Sequence, residues 1–529
     1  MKTNSSLILK ITLGMIIILF AVYSALQMHL PRAVHADAPA TSFSAERAMA
    51  DLQVVARERH MTGSEAQERV REYIVGQIKT MGLTPEVESS GQLANILVRL
   101  PGNDTTKTVL ISGHYDSNSF TPGAGDNGIS VVAMLESMRV LLASPVLRND
   151  VLFLFTDGEE LGWSGAKAFI RAHPEAKDET GVLLVFDARP GNAPLNLVET
   201  SPGDAWLLQQ MTGLPLALWA GSWKNLQERN EMDTDYDIFQ PAGYTGIVLE
   251  NEASGTRYHS SRDIVDAISP NLVQAYGQTM LALTNHFSSI DLGSQPESPD
   301  WAYFSLSMVG LVAYPYWVMA VLSGLGIVAF LVFLVLAWRQ NQYSLKRFLL
   351  GVSSLLVGIV LIVICAQLAW MVIKANQVAI VDSGFEGSAT WQAILMGIAA
   401  LLMIILLYFL TRRLGWLHVA TAAPIIYLLV GFVFNSITKT DNPLTTAWLA
   451  WPFIGGVVGL GTLIFIKNST WRIVTLSLSA LMILAVAVPR FWMATYTRED
   501  AWLTVLVVCI WMALFAPQVE AIFGRVLMD

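Results

Sequence analysis

Cysteine is almost missing from this chain: it has two in 529 residues, Cys365 and Cys509. Both lie inside long apolar runs, so there is no disulfide framework and no cysteine-based zinc site. Any metal must be held by histidine and carboxylates. Charge is scarce as well. Only 14% of residues are Asp, Glu, Lys or Arg, against about 25% in soluble domains, and the deficit is confined to 317–515. A basic surplus is absent. The net charge of −9 and pI near 5.4 argue against nucleic acid as partner, because phosphate binding needs a basic surface. The chain also lacks internal repeats and low-complexity segments. Ionisable side chains are rare inside the apolar runs, which weighs against an ion transporter.

Long apolar runs, by contrast, are plentiful. The first is Ile11–Leu26, behind Lys2 and Lys10. It reads as an uncleaved signal anchor closing at residue 36, with cleavage after Val34-His35-Ala36 as the alternative. Either way, the segment that follows is exported. Seven further spans, each near the ~20 residues a bilayer requires, are predicted at Trp317–Trp338, Phe348–Ile373, Trp391–Leu410, Trp416–Phe434, Thr446–Ile466, Trp471–Val488 and Ala501–Phe515. Tryptophan marks many of their ends, as in an interfacial aromatic belt. Pro424 reads as a tolerated kink.

With the N-terminus in the cytoplasm, the cytoplasmic loops carry Arg339, Lys346, Arg347, Arg412, Arg413, Lys467 and Arg472. The opposite loops carry Lys374, Lys439, Arg490 and Arg498. This bias obeys the positive-inside rule. It puts residues 37–293 outside the cytoplasm and the C-terminus inside. Residues 294–316 form a linker, with Tyr303–Val312 apolar but too short to span, and residues 317–529 form the multispan region.

Residues 37–300 have ordinary globular composition, enough for one well-buried domain. Ser64–Met81 has the helical stripe Val70, Tyr73, Ile74, Ile78 and Met81, with Ser64 as N-cap and Gly82 beyond the end. Leu93–Leu100, Thr108–Ser112, Val151–Phe155, Val182–Phe186, Leu195–Glu199 and Gly246–Leu249 read as strands. Ile129–Leu142, Gly165–Ala172 and Asn271–Phe287 read as helices. This alternation predicts an α/β sheet with helices on both faces.

The polar residues that follow these strands could carry chemistry. His114 comes just after a strand, with Asp116 two positions on and suited to orienting it from behind. Asp126 sits among glycines that let backbone approach an ion closely. Glu159 and Glu160 follow Val151–Phe155 and point different ways, so one can bind metal while the other stays free as a base. Asp187 follows Val182–Phe186, and His259 lies beyond Gly246–Leu249. Each piece alone is common in structural roles. The order His-x-Asp, Gly-Asp-Asn-Gly, Gly-Glu-Glu, Phe-Asp, Tyr-His is far more specific.

That order resembles the M28 family of zinc exopeptidases. The matching residues are Gly113-His114-Tyr115-Asp116, Gly125-Asp126-Asn127-Gly128, Glu159-Glu160-Leu161-Gly162, Ser164-Gly165-Ala166 and Tyr258-His259-Ser260-Ser261-Arg262-Asp263. The layout is similar to the family's membrane-anchored branch of endoplasmic reticulum metallopeptidases and vacuolar membrane proteases, as are Phe186-Asp187-Ala188-Arg189, Glu199 to Trp206 and Asp233-Thr234-Asp235-Tyr236. The resemblance covers about Arg59 to His286. It implies an aminopeptidase-like α/β sandwich, with helices on both faces of a mixed sheet, ahead of an all-α membrane region. It also implies two zinc ions bridged by Asp126, one completed by His114 and Asp187, the other by Glu160 and His259. Glu159 would be the general base and Asp116 would orient His114. One departure stands out: Asp187-Ala188-Arg189-Pro190 replaces the Glu-Ala-Arg-Gly common in such relatives. The shorter arm and Pro190 could displace a metal or reshape the pocket.

On the substrate side, Tyr258 is a candidate hydrogen-bond donor to a tetrahedral oxygen. Arg189 or Arg257 could hold a substrate carboxylate. Asp233 or Asp235 could hold a free α-amine. The expectation is a membrane-anchored di-zinc exopeptidase of aminopeptidase type acting on short peptides, with a glutaminyl-cyclase-like enzyme or a non-catalytic receptor or scaffold as alternatives.

Overall fold

The computed structural model describes residues 2–26, 30–220, 234–251, 257–306, 309–339, 343–376, 385–438, 447–497 and 501–524. Among them, one eight-stranded mixed sheet organises the first half. Its strands are β1 (Glu86–Ser90), β2 (Leu93–Leu100), β3 (Thr108–His114), β4 (Val151–Thr156), β5 (Thr180–Phe186), β6 (Leu195–Thr200), β7 (Leu218–Ala220) and β8 (Gly246–Glu250), in the order β1-β2-β4-β3-β5-β8-β6-β7. β4, β3, β5 and β8 run parallel, and antiparallel strands flank them. β3 is buried along its whole length, as expected of a parallel strand covered on both faces.

Side-chain alternation divides the core. Val109 and Ile111 point into a cluster with Ile129, Leu135, Leu272 and Phe287. Leu110, Leu154 and Leu183 point the other way, onto Ala166, Phe169 and Phe239. Helices therefore cover both faces. The helix Ile129–Leu142 lies between β3 and β4 in the chain, and Ser164–Ala172 between β4 and β5. Because β4 and β5 sit on opposite sides of β3, the chain reverses direction there. Such a switch opens a crevice at the carboxyl ends of the strands.

Local rules hold well in this half. The helix Glu65–Thr80 begins where the Ser64 hydroxyl accepts the Gln67 N–H and ends before Gly82, whose φ is +82°. Val70, Ile74 and Ile78 are its buried stripe. β3 and β4 run past their apolar runs because His114 and Thr156 still pair across the ladder. Among the elements that the sequence reading passes over are the exposed edge strand β1, the helix Ala45–Val55, the helix Ala205–Met211, the three-residue β7, and a hairpin of β9 (Trp301–Leu306) with β10 (Gly310–Pro315). The hairpin lies within the stretch expected to be a linker. Its Phe304 packs with Val486, and its ring centroid is 6.4 Å from that of Trp451, so it joins the domain to the membrane helices.

The second half is helical: Tyr316–Arg339, Leu345–Asn376, Phe385–Leu414, Trp416–Thr438, Ala447–Phe465, Ser469–Thr497 and a pair, Ala501–Ala513 with Ala516–Phe523, bent by 59°. Among the described residues, six helices are long and apolar enough to cross a membrane, or seven if the bent pair is one span. Ala450–Phe465 is apolar but shorter. This is a multipass membrane protein. The N-terminal helix Lys2–Leu26 joins the bundle: Leu13 packs with Leu463, Ile473 and Leu476, and Lys10 Nζ donates to the Gly524 carbonyl at 2.7 Å. Downstream of it, the Ala33 N–H donates to Asn271 Oδ1 at 2.7 Å and the Val34 N–H to Gln274 Oε1 at 3.1 Å. Val34-His35-Ala36 thus begins in backbone stitched to the domain.

Candidate metal centre

Four parallel strands deliver the candidate residues to one crevice. His114 is the last residue of β3, Glu159 and Glu160 follow β4, Asp187 follows β5, and His259 lies in the loop beyond β8. Asp126 comes from the tight turn Ala124–Gly128, whose Asp126–Asn127 peptide is cis. Asn127 Nδ2 ties this turn to the Phe186 carbonyl at 3.0 Å, next to Asp187. Gly125 has no room for a side chain, since a β-carbon there would lie 2.5 Å from Pro190 Cα.

Two clusters form around a shared Asp126: His114, Asp126 and Asp187 in one, Asp126, Glu160 and His259 in the other. In each, candidate ligand atoms lie within 4.8 Å of one another. His114 Nε2 is 3.3 Å from Asp126 Oδ1 and 3.7 Å from Asp187 Oδ1. His259 Nε2 is 3.2 Å from Asp126 Oδ2 and 3.0 Å from Glu160 Oε1. Among the described residues, His114 Nε2, Asp126 Oδ2 and Glu160 Oε1 are buried without a hydrogen-bond partner. Buried polar atoms rarely go unpaired. Three converging nitrogen and oxygen atoms in that state fit divalent cations of the zinc type. Asp187 also reaches the His114 cluster despite its short arm.

Asp116 braces the centre from behind. Its Oδ1 lies 3.4 Å from His114 Nδ1, and its two oxygens accept the N–H groups of Glu159 and Glu160 at 3.1 and 3.2 Å. One buried carboxylate therefore fixes a ring and the two glutamates opposite it. Charge balance explains the titration behaviour. Burial pushes Glu159 well above the usual carboxyl range; His114 opposes this, while Asp187, Asp235 and Asp126 reinforce it. Burial would depress His114, but Asp116, Asp126 and Asp187 outweigh it and hold the ring well above its ordinary value. Burial likewise works against Asp126, yet His114 and His259 pull it low.

The substrate candidates meet a different fate. The Arg189 guanidinium pairs with Glu250, and Arg257 Nη1 donates to the Ala267 carbonyl at 3.3 Å. Asp235 is buried, accepts Thr156 Oγ1 at 2.5 Å, and is pushed up to about 7, mainly by burial. Asp233 lies outside the described residues. Tyr258 stacks on His259, and burial raises its phenol far above the usual value, so it keeps its proton at neutral pH.

Three supporting residues escape sequence reasoning as functional. Asp263 accepts the N–H groups of Gly125 and Asp126 at 2.6 and 3.1 Å. Asn118 Nδ2 donates to Glu160 Oε2 at 2.9 Å, leaving Oε1 for a ligand. Thr62 Oγ1 donates to Asp157 Oδ1 at 2.9 Å, beneath Asp116. Asn118 and Thr62 sit in irregular loops with no periodicity to mark them, and Asp263 appears only inside the Tyr258–Asp263 motif.

Residues 95–284 match peptidase family M28. This is an M28 domain. Endoplasmic reticulum metallopeptidase 1 of Mus musculus is 28% identical over 274 residues, covering 49% of this chain and 30% of its own. Vacuolar membrane protease of Candida albicans (strain WO-1) is 26% identical over 326 residues, covering 58% of this chain and 37% of its own. The chain thus spans less than half the length of these relatives. Among solved structures, the Legionella pneumophila LapA aminopeptidase aligns over 47% of this chain and 73% of that one, with 13% identity and a TM-score of 0.40.

Proposed function

We propose that this protein is a membrane-anchored di-zinc exopeptidase of aminopeptidase type, cleaving short peptides outside the cytoplasm. The observation that carries the proposal is the pair of clusters sharing Asp126, with unpaired buried ligand atoms and a separate carboxylate, Glu159, beside them. His114, Asp126 and Asp187 would hold one ion, and Asp126, Glu160 and His259 the other. Ions there would supply Lewis acidity, polarising a scissile carbonyl and making water easier to deprotonate.

The residues do the rest. Glu159, buried and raised in pKa, accepts a proton from the attacking water and passes it to the leaving amine. Asp116 keeps Glu159 and Glu160 in place through their backbone N–H groups. The Tyr258 phenol is a donor for the oxygen that gains charge. Aminopeptidase direction is supported by the partners that Arg189 and Arg257 already have. Asp235 is the candidate partner for a free α-ammonium, a buried carboxyl near enough to Glu159 to help raise it. Membrane anchoring by the N-terminal helix is supported by its packing in the bundle, and the extracytoplasmic placement by the bias of Lys and Arg among loops.

The test uses the full chain in detergent, wild type beside Glu159→Gln, with zinc counted and amino-acid release measured on peptides with free and with acetylated N-termini. Two zincs in both proteins, and release from free N-termini in wild type alone, support the proposal. Hydrolysis surviving in Glu159→Gln would refute the base assignment. One zinc together with cyclisation of an N-terminal glutamine would turn the reading to a glutaminyl cyclase.

A further inference from the structure

His259 is the least supported of the ligand candidates. It hangs on a loop rather than a strand end, its φ is +50°, and its side chain is 36% exposed, whereas that of His114 is 2% exposed. A residue with a β-carbon seldom adopts that backbone conformation unless its surroundings impose it. A half-open imidazole would also be free to swing into solvent.

A set of contacts holds it. The Tyr258 ring stacks on the imidazole with centroids 3.9 Å apart and planes 20° from parallel. The Arg189 guanidinium lies over the same tyrosine, 4.9 Å from its centroid. A cation over an aromatic face is attracted to the ring's electron-rich surface. Arg189 is itself anchored twice. Its Nε pairs with the buried Glu250 at the end of β8. Its backbone is clasped by Asn251, which accepts the Arg189 N–H at 2.9 Å and donates to the Arg189 carbonyl at 2.8 Å.

We propose that Arg189 is a positioning residue for the Asp126, Glu160 and His259 cluster, acting through the Tyr258 ring to hold the His259 imidazole in its ligating orientation. This replaces substrate-carboxylate binding as its role. It rests on reading the two clusters as metal sites. The relay runs from Glu250 through Arg189 and Tyr258 to His259, and couples the ends of β5 and β8 to a ligand on the far loop. Supports of this kind shift metal affinity by roughly 10–100-fold.

The experiment is a zinc titration of the full chain in detergent against a competing chelator. Wild type is compared with Tyr258→Phe, Tyr258→Leu and the double variant Arg189→Met/Glu250→Gln, which removes both charges of that ion pair together. The expected result is that wild type and Tyr258→Phe bind two zincs alike. Tyr258→Leu and the double variant should bind one zinc normally and the other about tenfold or more weakly. Rescue by the conservative Phe variant separates ring stacking from the phenol's hydrogen bond. Unchanged affinity for both ions in Tyr258→Leu or in the double variant overturns the proposal, as does equal weakening of both ions. If the double variant does not fold, Arg189→Lys takes its place, since it keeps a cation for Glu250 but not the guanidinium over the Tyr258 ring, and unchanged affinity for both ions in it overturns the proposal. Fewer than two zincs on wild type removes the metal reading itself, and this inference with it.

Discussion

Asp263 accepts the backbone N–H of Asp126 at 3.1 Å, across 137 positions of chain. The same carboxylate takes the Gly125 N–H and the Thr121 hydroxyl, and it is fully buried. It clamps the turn that carries the shared ligand to the loop that carries His259.

Removing that clamp should be costly. Asp263→Ala leaves buried donors without an acceptor, at about 3 kcal/mol in total. The expected outcome is a lower melting temperature together with weakened binding of both zincs, since Asp126 serves both clusters. Metal analysis beside a thermal melt checks this; normal zinc content in the variant would contradict it.

Zinc uptake should release protons. Burial works against a charged His259, but Asp126 and Glu160 outweigh it and push the ring up to about 10. The sign follows from linkage. A raised histidine stabilises the metal-free fold fully below its ordinary value of 6.5, and that contribution is lost as pH rises through about 10. A metal needs the neutral ring. Apparent zinc affinity should therefore climb with pH across this window. Binding heats at pH 8 should depend on the buffer's ionisation enthalpy, and buffer-independent heats would argue against a protonated ligand.

Gly125→Ala should disturb the centre without touching any ligand side chain. The new β-carbon would meet Pro190 backbone at 2.5 Å, and overpacking of this kind costs about 1–3 kcal/mol. Gly76→Ala is the control. It lies in a helix with nothing within 4 Å, so it should stabilise by roughly 0.5–1 kcal/mol. Melting temperatures moving in the same direction for both variants would contradict the steric argument.

Gly455→Leu should loosen the membrane bundle. A β-carbon at Gly455 would lie 2.9 Å from the Ser479 carbonyl, and Ser479 Oγ donates to the Gly455 carbonyl at 2.6 Å. Small residues let membrane helices approach this closely. The expected result is faster proteolysis of the membrane half with zinc content retained; unchanged proteolysis would mean that the contact is dispensable.

Most of the N-terminal half is legible because local physics agrees with the final packing. β2 and the helix Ile129–Leu142 have the limits their apolar periodicity predicts. β1 is not legible, because an exposed polar edge strand carries no alternation. Neither is the hairpin of β9 and β10, which is apolar on both faces because Tyr303 and Leu311 pack into the domain core while Phe304 packs with Val486, so no alternation marks it. The partners of Asp235 and Arg189 are not legible either, for one reason. A polar residue beside a site looks like a substrate contact until its distant partner is known, and those partners are Thr156 and Glu250.

The amino-acid order alone determined a helical membrane half, an α/β domain before it, and a run of histidine and carboxylates after successive strands. Periodicity and hydropathy are properties of neighbouring residues, so they can be read without coordinates. Only the tertiary structure decided that Asp126 faces both histidines, that Asp116 grips both glutamates, and that Arg189 turns to Glu250. Those relations join residues brought together by the crossing of the chain at β3, and no local pattern encodes the distance between two strand ends.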